Sequence, residues 1–289
     1  MVLPIIGVVL VLLVLAASAA VWEGRRRWHA ATADLRRRLQ PAVTFSEAEV
    51  FSEAELRGLP SPVARYFRAA LLEGQPIIRR ARILWQGEFN MGKPGKDNWK
   101  PFTATQDFVP GAPGFLWDAR IAFVPGIPVL VCDGFVEGAG SMRGAVLGVV
   151  PVVSVEGTPE VAAAALQRYL GEAAWFPTAL LPSQGVTWVP IDDERARATI
   201  SAHTTTVSLE FSFGQDGLIA SVFAPDRNYD DGTNPPVPRP WMARILRYEE
   251  RHGMKIPAEA FVAWQLPDGP FQYWRGRPEQ VEYETVSQR

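Results

Sequence analysis

Arg82–Asn90, RILWQGEFN, decides the fold of this chain. Ile83, Trp85 and Phe89 alternate with Arg82, Gln86 and Glu88. A period of two puts the apolar side chains on one face of a strand and the polar ones on the other. Working outward, Gly92, Pro94 and Gly95 mark a turn, and Trp99–Phe108 alternates again. Phe115, Trp117, Ala119, Ile121 and Phe123 form the next apolar set, with Asp118 and Arg120 pointing the other way. Pro125 and Gly126 turn the chain, and Ile127–Glu137 and Ser141–Val155 continue the pattern. These are antiparallel strands joined by short turns.

Two helices interrupt the alternation. Ser61 and Pro62 open the first, in which Val63, Tyr66, Phe67, Ala70 and Leu71 recur at helical spacing before Gly74. Thr158, Pro159 and Glu160 open the second, as N-cap, first helical residue and first-turn acid. Its apolar stripe runs through Val161, Ala165, Leu166, Tyr169, Leu170, Ala173 and Phe176, and Pro177 is expected to end it. Strands are then expected at Val186–Val189, Arg197–Ala202, Thr205–Phe213, Leu218–Phe223, Met242–Glu250, Ala260–Leu266, Phe271–Trp274 and Val281–Glu284. Asp226–Pro240, with prolines at 235, 236, 238 and 240, reads as a long stiff surface loop. About ten strands with two helices and no βαβ alternation give an antiparallel α+β fold. The expected form is an N-terminal transmembrane helix, then a curved antiparallel sheet or open β-barrel packed on one long helix.

The anchor lies in Met1–Trp22, where 19 of 22 residues are hydrophobic and none is charged. At about 1.5 Å per residue this run spans roughly the 30 Å of a bilayer core. A cleaved signal peptide would use Ala17, Ser18 and Ala19, but no basic residue precedes the apolar run. The uncleaved anchor is therefore the expected form, with residues 2–22 meeting the lipid bilayer. Residues 23–39 follow with six arginines against Glu23 and Asp34, a net charge of +4 that leaves −6 for residues 40–289. The positive-inside rule places this side in the cytoplasm of a single-pass inner-membrane protein, with the periplasmic side as the alternative. Arg25–Leu39 reads as a basic helix with Trp28, Leu35 and Leu39 near one side, either a solvated extension of the anchor or a dock for anionic headgroups. The expected organisation is an anchor at 1–22, a basic helix and connector at 23–60, and one β-rich domain at 61–289.

Composition narrows the chemistry. One cysteine excludes an internal disulfide, and three scattered histidines give no metal-ligand spacing. A net charge of −2 gives no reason to expect nucleic-acid binding. No cofactor is expected. Gly87, Gly92 and Lys93 match most of a phosphate loop, but Pro94 stands where a Ser or Thr must be. Gly138 and Gly140 lack the third glycine of a dinucleotide fingerprint, whose place Arg143 takes. Cys132, in an apolar strand beside Asp133, reads as a core residue rather than a nucleophile. Glu88, Asp118 and Glu137 could share a sheet face with Arg120, as a polar site or as structural ion pairs. Trp117, Trp175 and Trp188 could line an apolar pocket or fill the core.

Residues 113–120 (PGFLWDAR) and 175–182 (WFPTALLP), with 101–104 (PFTA) and 140–143 (GSMR), resemble a bacterial family of membrane-anchored proteins carrying a domain of unknown function. The resemblance covers nearly the whole chain beyond Pro62 and supplies no established activity, so no catalytic residue follows from it. The C-terminal half, with Gly253, Ile256 and Pro257 between strands, is similar in architecture to the periplasmic lipoprotein carriers. That likeness implies an incomplete β-barrel around an apolar cavity, although function does not follow from fold. The leading expectation is a membrane-anchored module binding a lipid or other apolar ligand through Trp117, Asp118, Arg120, Trp175 and Phe176. The alternatives are an enzyme with a polar site at Asp118 and Arg120, and an envelope scaffold using edge strands or the Pro235–Pro240 loop.

Overall fold

The computed structural model describes residues 2–39, 49–229 and 237–285. Among these, helix α1 covers Val2–Arg38, α2 covers Ser61–Ala70 and α3 covers Pro159–Glu172. Thirteen strands form one antiparallel sheet. They are β1 (Ile78–Asn90), β2 (Trp99–Val109), β3 (Gly114–Val124), β4 (Ile127–Val136), β5 (Ala139–Val146), β6 (Val150–Glu156), β7 (Thr187–Pro190), β8 (Arg195–Ala202), β9 (Thr205–Phe213), β10 (Ile219–Tyr229), β11 (Val237–Arg251), β12 (Met254–Leu266) and β13 (Gly269–Thr285).

The strand order is β6-β5-β4-β3-β2-β1-β13-β12-β11-β10-β9-β8-β7. Two meanders, one on each side of α3 in the chain, are therefore joined by the pairing of β1 with β13. The sheet ends at β6 and β7, and α3, the segment between them, packs on β5 and β9 across the concave face. Thr158 caps α3 as its sequence required, its hydroxyl accepting from the Val161 N–H. The helix stops at Glu172, earlier than its apolar stripe suggested. Ala173–Trp175, Pro177–Leu180 and Pro182–Gln184 instead make three short 3-10 turns, as the prolines at 177 and 182 break helical pairing.

Three strand expectations change. Ser141–Val155 is two strands, β5 and β6, folded back on each other at a turn over 147–149. Phe271–Trp274 and Val281–Glu284 belong to a single strand, β13. The ends of the expected loop at 226–240 are ladder, with Arg227 opposite Arg239 and Tyr229 opposite Val237. Residues 230–236 of that loop, and 40–48 of the expected connector, lie outside the described residues.

Helix α1 is continuous over 37 residues. Its first part is apolar, exposed, and long enough to cross a membrane. Its last part is no solvated extension. Trp28 and Leu39, with Leu35 beside them, pack on Val109, Leu116, Leu130, Cys132, Val136 and Ala145 of the convex face. Strand β4 is buried on both faces for this reason, with Val129, Val131 and Phe135 inside and Leu130, Cys132 and Val136 under the helix. Arg36 pairs with the fully buried Asp107 at 3.0 Å and with Asp118 at 3.4 Å. Arg143 donates to the Thr32 hydroxyl at 2.6 Å and lies over the Trp28 ring. Arg38 pairs with Glu137 at 2.6 Å. At least two of the basic helix's arginines thus serve the sheet rather than headgroups.

Candidate functional site

The concave face is solid at one end and hollow at the other. At the solid end Phe108, Phe115, Phe135, Tyr169 and Phe176 are fully buried, and the Phe108 and Phe176 rings stand 4.4 Å apart. Burial raises the Tyr169 phenol above its ordinary range. A layer of tryptophans follows, with Trp85 edge-on to Trp175 at 5.0 Å and to Trp274 at 5.5 Å. The Trp175 indole donates to the Pro257 carbonyl at 2.9 Å, which fixes the ring.

Beyond this layer lies a cavity of about 240 Å³. Its walls are Phe89, Trp117, Trp241, Trp264, Tyr273 and Trp274, with α3 as its floor. Phe89, Trp264 and Tyr273 are only half-buried. The buried indole N–H groups of Trp117 and Trp274 have no partner among the described residues. Unpaired buried donors are costly, about 1–3 kcal/mol each, so both would gain from an acceptor.

Four charged residues also reach this space: Asp133, Arg168, Glu172 and Arg227. Arg168 pairs with Asp133 and, at 2.9 Å, with Glu172, which also accepts from Gln106 at 2.7 Å. Its guanidinium lies 5.0 Å from the Trp117 ring centre. Burial works against the Arg168 charge, but the Glu172 and Asp133 carboxylates outweigh it and raise its pKa. Burial raises Glu172 above the usual carboxylate range, with Arg168 opposing. Arg227 is different. It donates to the Ala164 carbonyl at 3.1 Å and lies over Trp241 at 4.6 Å and Trp264 at 5.8 Å. No carboxylate among the described residues forms an ion pair with it, and desolvation lowers its pKa. Of the two cations at the cavity, Arg227 is the one whose donors meet no carboxylate among the described residues.

Of the five expected site residues, the structure brings Trp117 and Trp175 together at the cavity. Phe176 is fully buried in the solid end, against Phe108 and Tyr169. Asp118 and Arg120 lie on the convex face, in an open groove of about 500 Å³ beside α1. Glu88, Asp118 and Glu137 do not converge; they pair separately with Arg275, Arg36 and Arg38. Trp188 sits elsewhere, donating to the Leu180 carbonyl and packing on Phe211. The charged cavity residues were missed by sequence reasoning. Arg168 and Glu172 carried a signal, an ion-pair spacing of four on a helix that is otherwise largely apolar. Arg227 carried none, because its segment read as loop. Among the described residues no cluster of His, Cys, Asp or Glu could hold a metal ion.

Several solved structures resemble the chain, two of them as follows. A LolA superfamily protein from Nitrosomonas europaea aligns over 78% of this chain and 93% of its own, at 8% identity and a TM-score of 0.31. A β-barrel-like protein of the domain of unknown function DUF1849 from Brucella abortus aligns over 72% and 99%, at 9% identity and a TM-score of 0.23. Neither is close enough to bear on ligand or activity. No curated protein matches the chain. A family model does match residues 57–283, and the chain belongs to that family, a family of unknown function (DUF6920).

Proposed function

We propose that this protein is a membrane-anchored holder of a lipid or other apolar ligand, bound in the concave cavity. The observation that carries the reading is the contrast within one face: a fully packed end, and an aromatic-walled hollow of about 240 Å³ whose rim stays half-exposed. An apolar pocket with a few polar groups is the usual form of a small-molecule site. The aromatic walls take the apolar body. Arg227 and the Trp117 and Trp274 indoles are the groups available to a polar or anionic head. The apolar part of α1 spans the inner membrane, and the arginines after it hold the sheet on the cytoplasmic side.

Native mass spectrometry of the full-length protein released from detergent, with organic extraction of the same sample, tests the binding. A stoichiometric apolar molecule other than the detergent is the expected result. Protein that carries only detergent, and takes up no added fatty acid or phospholipid, would overturn the reading.

A further inference from the structure

The sheet has a set of exposed apolar side chains that the cavity does not explain. Phe123, Val124 and Ile127 surround the β3–β4 turn, and Val149, Val150 and Val152 the β5–β6 turn. The two turns are neighbours, since the Leu147 N–H bonds to the Pro128 carbonyl. They lie at the end of the sheet toward which α1 leaves the domain. Gly24 of α1 is so close to the β5–β6 turn that an added Cβ would fall 2.5 Å from the Val149 side chain. Gly148 of the same turn sits between Leu130 and Trp28.

From that contact α1 and β4 both run on toward this end of the sheet. Six helical residues separate Trp28 from Trp22, a rise of about 9 Å. Three strand residues separate Leu130 from Ile127, a rise of about 10 Å. The β3–β4 turn therefore reaches the level at which the uncharged run of α1 begins, and the β5–β6 turn, which meets Gly24, lies two helical residues, about 3 Å, short of it. The β1–β2 turn stands at the same end, and residues 93, 96 and 100 there hold three of the chain's four lysines. Phe89, at the cavity rim, pairs with Lys100, and Phe102 pairs with Ile121, two residues short of Phe123.

We infer that this end of the sheet is a second membrane contact: the β3–β4 and β5–β6 turns enter the interface of the bilayer that α1 spans, and the lysine turn meets its anionic headgroups. The occupant of the apolar surface is lipid, because α1 leaves the domain there as an exposed apolar helix. Lysines suit an anionic leaflet, each contributing about 1 kcal/mol near such a surface. The half-open rim of the cavity is thereby held at the bilayer, so a ligand passes between membrane and cavity without crossing water. The inference rests on α1 being a membrane span.

Site-directed fluorescence in vesicles tests both points separately. Full-length protein with one added cysteine at Leu12, Val124, Val150, Val189 or Leu246 is labelled with an environment-sensitive probe. The buried native Cys132 gives the wild-type blank. The vesicles contain phosphatidylcholine and phosphatidylglycerol, with or without brominated acyl chains. Val189 and Leu246 are exposed apolar controls on other strands, β7 and β11. Leu12, Val124 and Val150 are expected to lose fluorescence to brominated lipid, and Val189 and Leu246 to keep theirs. Quenching at Leu12 with none at Val124 and Val150 would overturn the second contact and leave the anchor standing. No quenching at Leu12 would overturn the anchor, and this inference with it.

Discussion

At the packed end of the concave face, Phe108 and Phe176 bury every atom and meet at 4.4 Å; at the hollow end, Trp264 and Tyr273 stand half-exposed around about 240 Å³ of space. The same sheet and the same helix build both ends. The packed end gains dispersion and burial from each side chain, while the hollow end forgoes part of that gain. Stability and binding are thereby assigned to different ends of one element, and substitutions can separate them.

The largest effect is expected at the packed end. Phe176→Ala should cost about 3–5 kcal/mol, as for other fully buried aromatics. Trp264→Ala at the hollow end should cost about 1 kcal/mol, the centre of ordinary substitutions. Denaturant titration of the full-length protein in detergent measures both. Equal losses would mean that the two ends do not differ.

The convex face gives the next largest. Arg36→Ala removes a charge-assisted bond to the buried Asp107, which keeps Arg82 at 2.7 Å. A loss of about 1.5–3 kcal/mol is expected, with faster amide exchange in residues 25–38. Unchanged exchange there would show that the helix docks without this pair.

Glu172 gives a smaller effect, with a definite sign. Burial first, against the opposing Arg168, places its folded-state pKa above the ordinary 4.5. A carboxyl raised on folding binds its proton more tightly in the native state. Its contribution is intact below about 4.5, and stability falls as pH rises from there through the folded-state value. Melting temperatures of wild type and Glu172→Gln, compared across this range, should diverge in favour of the variant as pH rises. A constant difference would contradict it.

Gly171 gives the smallest. It lies within α3 on the cavity wall, and a Cβ there would meet Leu209 and Val222 at an ordinary 3.6 Å. Gly171→Ala should stabilise by about 0.8–1 kcal/mol through helix propensity. It should also weaken ligand retention, which a mere packing defect would not do.

Much of the fold was legible because it depends on local period. The alternation in Arg82–Asn90 and Phe115–Phe123 and the cap at Thr158 each required only neighbours in sequence. The same period of two already separates Trp117 from Asp118 and Arg120, so the structure places them on opposite faces. The joining of β1 to β13 was not legible, because nearly 200 residues intervene and no local pattern specifies a partner. The docking of α1 left a clue in β4, whose near-continuous apolar run requires cover on both faces. Of the cavity's charged residues, Arg227 stayed hidden because a ladder that continues to Tyr229 read as a proline-rich loop.

Filling the hollow is the most direct test of ligand binding. Ala243, half-buried on the cavity wall, is replaced by phenylalanine, and binding of a fluorescent fatty acid to full-length protein is titrated beside wild type. Saturable wild-type binding, weakened at least about tenfold in Ala243→Phe at an unchanged melting temperature, is the expected result. Equal binding by both proteins, or none by wild type, would contradict a ligand in this cavity.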